Sequence, residues 1–205
     1  MLRVAHFLKK IEVGIDEAGR GPLFGRVYAA AVILNPELKY DDKLIKDSKK
    51  IPKKTLPISE AYVKEVALDW SVAYSTAKRI DEINVLQATQ EAMHKAIDNL
   101  NIKPEHILVD GNYFKPYKDI PCLCVVKGDA TYYSIAAASI LAKTARDSYI
   151  DQLCEEHSYL NKRYGIQNNK GYGAKKHIQG INTYGITPWH SCLLYTSDAA
   201  DDKQC

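Results

Sequence analysis

The stretch VGIDEAGRGPLFG, residues 13–25, restricts the fold of this chain more than any other part of it. An apolar, strand-like approach runs into two adjacent acids, Asp16 and Glu17, and then into a turn containing Gly19, Arg20, Gly21 and Pro22. Glycine and proline at such a point end a strand and reverse the chain. The segment RVYAAAVIL (26–34) that follows reads as a second buried strand, so residues 11–34 are expected to form a hairpin. Carboxylates beside backbone amides and a guanidinium suit chemistry in which a divalent cation and a phosphate meet.

The remaining pattern alternates strands and helices. Residues 35–57 are lysine-rich and carry Pro36, Pro52 and Pro57, which predicts a loop leading into a helix near 58–68. WSVAYSTA (70–77) reads as a strand. From Arg79 to Asn99, apolar residues recur at helical spacing and predict one long amphipathic helix. HILVDG (106–111) and PCLCVVKGD (121–129) each read as an apolar strand with an acid at or beyond its carboxyl end, and a helix is expected over 132–158. Cys122 and Cys124 are expected on opposite faces of their strand. The mixture predicts an α/β sheet covered by helices.

Composition narrows the classes. At 205 residues, 46% of them hydrophobic, the chain is long enough for one domain with a real core. Its net charge of +3 permits a polyanionic partner without requiring one. The apolar runs at 27–34 and 135–142 are too short to span a bilayer, and residues 1–10 lack the pattern of a secretory signal. Five cysteines without a CxxC spacing read as reduced thiols, so a cytoplasmic location and no membrane partner are expected.

Asp16, Glu17, Asp110 and Asp129 therefore sit at three strand ends. Taken singly, an acid at a strand end is most simply a solvated turn residue. Four that converge would repel one another unless divalent cations lay between them, and hard oxygen ligands favour Mg2+ or Mn2+ over zinc. Neighbouring residues on a regular strand point to opposite faces, so Asp16 and Glu17 are expected to share a site through a bend after Asp16.

The words GIDEAGRGPLFG, DSKK (47–50), VDGN (109–112), VVKGD (125–129), AAASILAKTARD (136–147) and KGYG (170–173) occur in the order found in bacterial ribonuclease HII, which the chain resembles over nearly all of residues 11–190. The resemblance implies a ribonuclease H-like mixed β-sheet flanked by helices. It implies a metal-dependent endonuclease that cuts RNA in RNA–DNA hybrids and at single ribonucleotides embedded in duplex DNA, on the 5′ side, leaving a 5′ phosphate and a 3′ hydroxyl. Asp16, Glu17, Asp110 and Asp129 are then the catalytic, metal-binding acids, holding two Mg2+ or Mn2+ ions. Gly19, Arg20 and Gly21 read the 2′-hydroxyl, the group that separates RNA from DNA. Arg20 favours this family over the related ribonuclease HIII, which has another residue there.

The same resemblance places Tyr172 on the sugar at the RNA-to-DNA junction and makes Ser48 and Lys49 contacts to the nucleic-acid backbone. Lys170 and His177 are expected beside the nucleic acid. The other lysines of KLIKDSKKIPKK (43–54) read as a basic face, Ser139 as helix packing, and Asp147 as structural rather than a fifth ligand. The partner is an RNA–DNA hybrid or ribonucleotide-containing duplex, and a monomer is expected.

Two departures from the family stand out. Ala174 occupies a position where threonine is common. Residues 191–205 do not follow the family, and CLLYTSDAAD (192–201) resembles the translation of a transposase adapter used in sequencing libraries. The expected division is thus a catalytic domain over 1–190 and a non-family tail over 191–205, read as adapter read-through with a divergent natural terminus as the alternative. A competing class is a hybrid-binding module that cannot cut because its terminus is altered.

Overall fold

Small side chains decide how the first hairpin packs. β1 (Glu12–Ala18) and β2 (Val27–Leu34) pair antiparallel, and every residue of β2, VYAAAVIL, is buried. Its three alanines let the sheet be covered on both faces at once. In the computed structural model, which describes residues 2–192, β3 (Ala67–Ser75) adds antiparallel to β2, while β4 (His106–Asp110) and β5 (Cys122–Val125) add parallel on the other side of β1. The order is β3-β2-β1-β4-β5. This is the mixed sheet expected, and all five expected strands are present, although β3 starts at Ala67 and ends at Ser75 rather than spanning 70–77.

Helices cover both faces. α1 (Leu56–Val66) packs on the long helix α3 (Tyr133–Glu156), and α3 lies across β1 and β2. The core between them combines Ala30, Val32 and Leu34 with Val63, Ala137 and Leu141. On the opposite face, Val13, Ile15, Ala31, Ile33 and Val109 meet Ala92, Met93 and Ile97 of α2 (Ala77–Asp98). α3 approaches β1 so closely that a Cβ on Gly14 would lie 2.2 Å from the backbone carbon of Ser134. Two short helices, α4 (Ile166–Asn169) and α5 (Lys175–Tyr184), form a smaller cluster with Phe24, Ile150, Leu160 and Tyr164.

Three expectations need correction. α1 begins at Leu56, with Pro57 in the first turn where its missing N–H costs nothing, and runs directly into β3 at Ala67. α2 is broken at Asn84, whose φ of 65° and ψ of 162° leave the helix; its Oδ1 accepts from the N–H of Gln87 and caps the second part. Arg79 bridges the break with two hydrogen bonds to Glu91, at 3.0 and 2.6 Å. Cys122 and Cys124 share one face of β5, because a strand alternates with period two; Cys124 packs towards the α2 side and Leu123 towards the other.

The C-terminal tail expected over 191–205 lies outside the described residues apart from Ser191 and Cys192. Among the described residues, no helix is long and apolar enough to cross a membrane.

Candidate active site

The carboxyl ends of β1 and β4 diverge, and that opening builds the site. β1 pairs with β4 only as far as Ile15 opposite Val109, yet continues against β2 through Asp16, Glu17 and Ala18. The bend expected after Asp16 is therefore not a break in the hairpin. Instead β1 parts from β4, and the notch receives Asp16 and Glu17 from one strand and Asp110 from the other. Ligand sites in open α/β sheets form at such carboxyl ends.

Asp16, Glu17 and Asp110 line one cleft together with Gly19, Arg20, Gly21, Ser48, Lys49 and Tyr172. Asp129 is not in its lining. It follows β5 in a short 3-10 turn (Gly128–Ala130), buried, close enough for its charge and that of Asp110 to act on each other, and 3.8 Å from Lys49 Nζ. Each acid already has a partner within the chain. Asp16 Oδ1 accepts from the N–H of Glu17 at 2.7 Å, Asp110 Oδ1 from the N–H of Gly128 at 2.6 Å, and Glu17 Oε1 from Arg20 Nη1 at 3.1 Å.

Burial and like charge raise the proton affinity of Asp16, Glu17 and Asp129. Asp16 titrates well above the usual carboxylate range, first through burial and then through the charges of Glu17 and Asp110. Glu17 is raised by burial, with Arg20 opposing, and Asp129 by burial and by Asp110, with Lys49 opposing. Such a site favours an added cation. Among the described residues, no three Asp, Glu, His or Cys side chains are gathered tightly enough to hold an ion as they stand. The donor set still fits a hard divalent cation: all oxygen, partly buried and electrostatically strained.

The turn and the tyrosine adjoin on the wall of the cleft. A Cβ on Gly21 would lie 3.5 Å from Tyr172 Cε1, and the Tyr172 side chain is largely exposed. Ser48 is buried: Asp47 caps a short 3-10 turn over Ser48–Lys50, and Ser48 Oγ is 2.9 Å from Ser139 Oγ. Lys49 projects into solvent from the same turn.

Several residues read otherwise from sequence belong to this cleft. Ser139 is more than helix packing, since its hydroxyl also acts on Asp16. With Lys143 and Arg146 it forms an i, i+4, i+7 set on the face of α3 turned to the cleft, a spacing already visible in ASILAKTARD. Arg146 is buried and donates from Nη2 to the carbonyls of Phe24 and Lys170, at 3.1 and 2.9 Å. Asp147 lies at the rim, 3.3 Å from Lys143 Nζ. Lys170 lines the cleft, but His177 does not: it is fully buried behind Tyr172 and bonded to that residue's carbonyl. An isolated histidine in sequence carries no signal of which way its ring will face.

Known proteins share both the sequence family and the architecture. The family model described as Ribonuclease HII matches residues 13–196. The chain is similar to the ribonuclease HII of Phocaeicola vulgatus, 50% identical over 180 residues that cover 88% of this chain and 87% of that protein. It is similar to that of Bacteroides thetaiotaomicron at 49% identity, with the same coverage. Among solved structures, the ribonuclease H2 of Pyrococcus horikoshii superposes with a TM-score of 0.70 at 25% identity, covering 88% of this chain and 92% of that one. A ribonuclease HIII solved in complex with Mn2+ gives a TM-score of 0.61 at 20% identity, covering 89% of this chain and 65% of that one, and so shares the fold.

Proposed function

The chain belongs to the ribonuclease HII family, whose members are endonucleases acting on RNA–DNA hybrids, and from that premise we propose that it also cuts at single ribonucleotides embedded in duplex DNA. In this reading the phosphodiester is hydrolysed on the 5′ side of the ribonucleotide, leaving a 5′ phosphate and a 3′ hydroxyl. The observation that carries it is the adjacency of two things in one turn. The acids Asp16 and Glu17 end β1, and Gly19–Arg20–Gly21 follows at once along the same cleft wall.

Asp16, Glu17, Asp110 and Asp129 are the residues that would hold Mg2+ or Mn2+, two ions during the reaction. Such ions supply an activated water and neutralise charge that develops on the leaving oxygen. The chain itself selects and orients. Gly21 has no Cβ, so its backbone can approach the 2′-hydroxyl; Gly19, whose missing Cβ makes room for Arg146, lets the turn adopt the shape that presents its backbone to the same hydroxyl; and Arg20 stands beside Glu17 to meet a phosphate. The exposed ring of Tyr172 can stack on the sugar opposite. Ser48, on the buried side of its turn, and Lys49, on the exposed side, would hold the backbone, with the lysines at 43–54 adding charge. No side chain has to act as a covalent nucleophile. A monomer suffices, because every residue named comes from one chain.

End-labelled duplex DNA carrying one ribonucleotide tests this reading. A single cut 5′ to the ribonucleotide is expected, leaving an upstream 3′ hydroxyl that a DNA polymerase extends and a 5′ phosphate on the ribonucleotide that a phosphatase removes; the matching all-DNA duplex stays intact. Cutting 3′ to the ribonucleotide, or equal cutting of both duplexes, would refute the assignment of the turn.

A further inference from the structure

Behind Tyr172, two buried histidines bond to each other. His177 Nε2 and His190 Nε2 are 3.0 Å apart, and the rings are 0% and 3% exposed among Phe24 and Tyr164. Two nitrogens at that distance share one proton, so one ring donates and the other accepts. The far ends of the pair decide which. The N–H of Thr187 can only donate, and it points at His190 Nδ1 at 2.9 Å; the Thr187 hydroxyl, 2.8 Å from the same nitrogen, can donate there too, so that nitrogen carries no proton. The carbonyl of Tyr172 can only accept, and it lies 2.9 Å from His177 Nδ1, so that nitrogen does carry one. Both conditions give the same answer when both rings are neutral: His190 donates from Nε2, and His177 accepts there.

We propose that Thr187, His190 and His177 form a one-directional hydrogen-bond relay that ends on the Tyr172 carbonyl, and that His177 is thereby a positioning residue for the tyrosine that stacks on the ribonucleotide sugar. This rests on the reading of Tyr172 given above. The bond between the two rings is buried and the two end bonds are partly buried, so each bond fixes the next ring. The relay reaches across the fold. Its far end belongs to the segment that pairs with residues 23–25: the N–H of Gly25 donates to the Trp189 carbonyl at 2.7 Å, and the N–H of Ser191 to the Leu23 carbonyl at 3.0 Å. The Gly-Arg-Gly turn enters the same segment at Pro22. One buried unit therefore registers both the turn and the tyrosine that adjoins it.

A charged ring would break the chain of donors. A proton on His177 Nε2 would face the proton on His190 Nε2, and a proton on His190 Nδ1 would face the N–H of Thr187. Burial lowers the proton affinity of both rings, which keeps them neutral.

Two measurements on the full chain test the relay. Long-range 1H–15N correlation of the imidazoles near pH 7 should show His177 protonated at Nδ1 alone and His190 at Nε2 alone; either ring cationic, or the opposite tautomers, overturns it. The second is a cycle of His177→Phe, Tyr172→Ala and the double variant on duplex DNA with one ribonucleotide. His177→Phe alone is expected to lower kcat/KM roughly tenfold, and to cost far less when Tyr172 is already alanine. Equal losses in both backgrounds would overturn the positioning role. His177→Gln offers an amide donor to Tyr172 and a carbonyl acceptor to His190, so it should recover most of the rate; a loss as large as that of the Phe variant counts against the relay. If instead the wild-type chain cuts no ribonucleotide duplex, it is the functional reading that fails, and the imidazole tautomers still decide whether the relay exists.

Discussion

Gly19 lies directly on Arg146: a Cβ built on Gly19 would come within 2.6 Å of Arg146 Nε and equally close to the Arg26 carbonyl oxygen, while Gly19 itself holds φ +103°. The guanidinium below it reaches Phe24 and Lys170, and so ties the turn to the loop that carries Tyr172. Gly19→Ala should therefore strain both the backbone and its support, at about 1–3 kcal/mol for the conformation alone. Ribonucleotide cutting should fall by at least an order of magnitude, while binding of duplex DNA persists. A rate within twofold of wild type, measured at saturating substrate, would show that close approach at Gly19 is not needed.

Arg146→Met keeps much of the stem's volume and removes the donors to two carbonyls. Leaving them unsatisfied should destabilise the chain by about 1–3 kcal/mol. Urea unfolding would measure this, and an unchanged midpoint would mean that the carbonyls find other partners.

The raised acids give a stability signature with a defined sign. A carboxyl whose folded pKa exceeds its unfolded value favours the folded chain below the unfolded value of about 4, and that contribution is lost as pH rises through the folded value. Asp16, Glu17 and Asp129 all shift in this direction. Metal-free Asp16→Asn should therefore be more stable than wild type near pH 8, by about 2–4 °C in Tm per kcal/mol at this size, with the gap closing towards pH 4. Mg2+ should raise the Tm of the wild type more than that of the variant. Calorimetry that finds the variant less stable near pH 8 would contradict the raised pKa of Asp16.

Lys49 stands between an acid of the site and solvent, 3.8 Å from Asp129. If it leaves that acid for a phosphate when substrate binds, Lys49→Ala should reduce the slope of log K against log salt by about 0.9. An unchanged slope in a fluorescence-anisotropy titration would confine Lys49 to pairing with Asp129.

At Gly14 the obstacle is backbone rather than a flexible side chain, because α3 crosses β1 there. Gly14→Ala should cost about 3 kcal/mol or more, beyond the usual range for overpacking. Urea unfolding with a smaller loss would mean that helix and strand can separate.

How much of this was legible in the sequence depends on the range of the interactions. Strands such as VYAAAVIL and HILVD declare themselves through local apolar pattern, and acids at strand ends follow from them. The break at Asn84 did not show, because a left-handed asparagine inside a good helical pattern is a tertiary choice. The Ser139, Lys143 and Arg146 set was visible as spacing, but nothing local says that this face of α3 meets the cleft rather than the core. His177 was misplaced for the same reason: a partner thirteen residues away decides where its ring goes. The notch that joins Asp16 and Glu17 comes from the loss of pairing between β1 and β4, strands more than ninety residues apart in the chain.

The central claim is that four acids and one glycine-rich turn make a metal-dependent ribonucleotide cutter, and one experiment addresses it most directly. Duplex DNA carrying one ribonucleotide is incubated with the wild-type chain and with Asp16→Asn across a titration of Mg2+, and separately of Mn2+, while binding is followed on the same duplex. The account predicts a 5′ cut that rises with metal for the wild type and is absent from Asp16→Asn, although the variant still binds. Binding by the wild type with no metal-dependent cut would contradict it and would make the chain a hybrid-binding module.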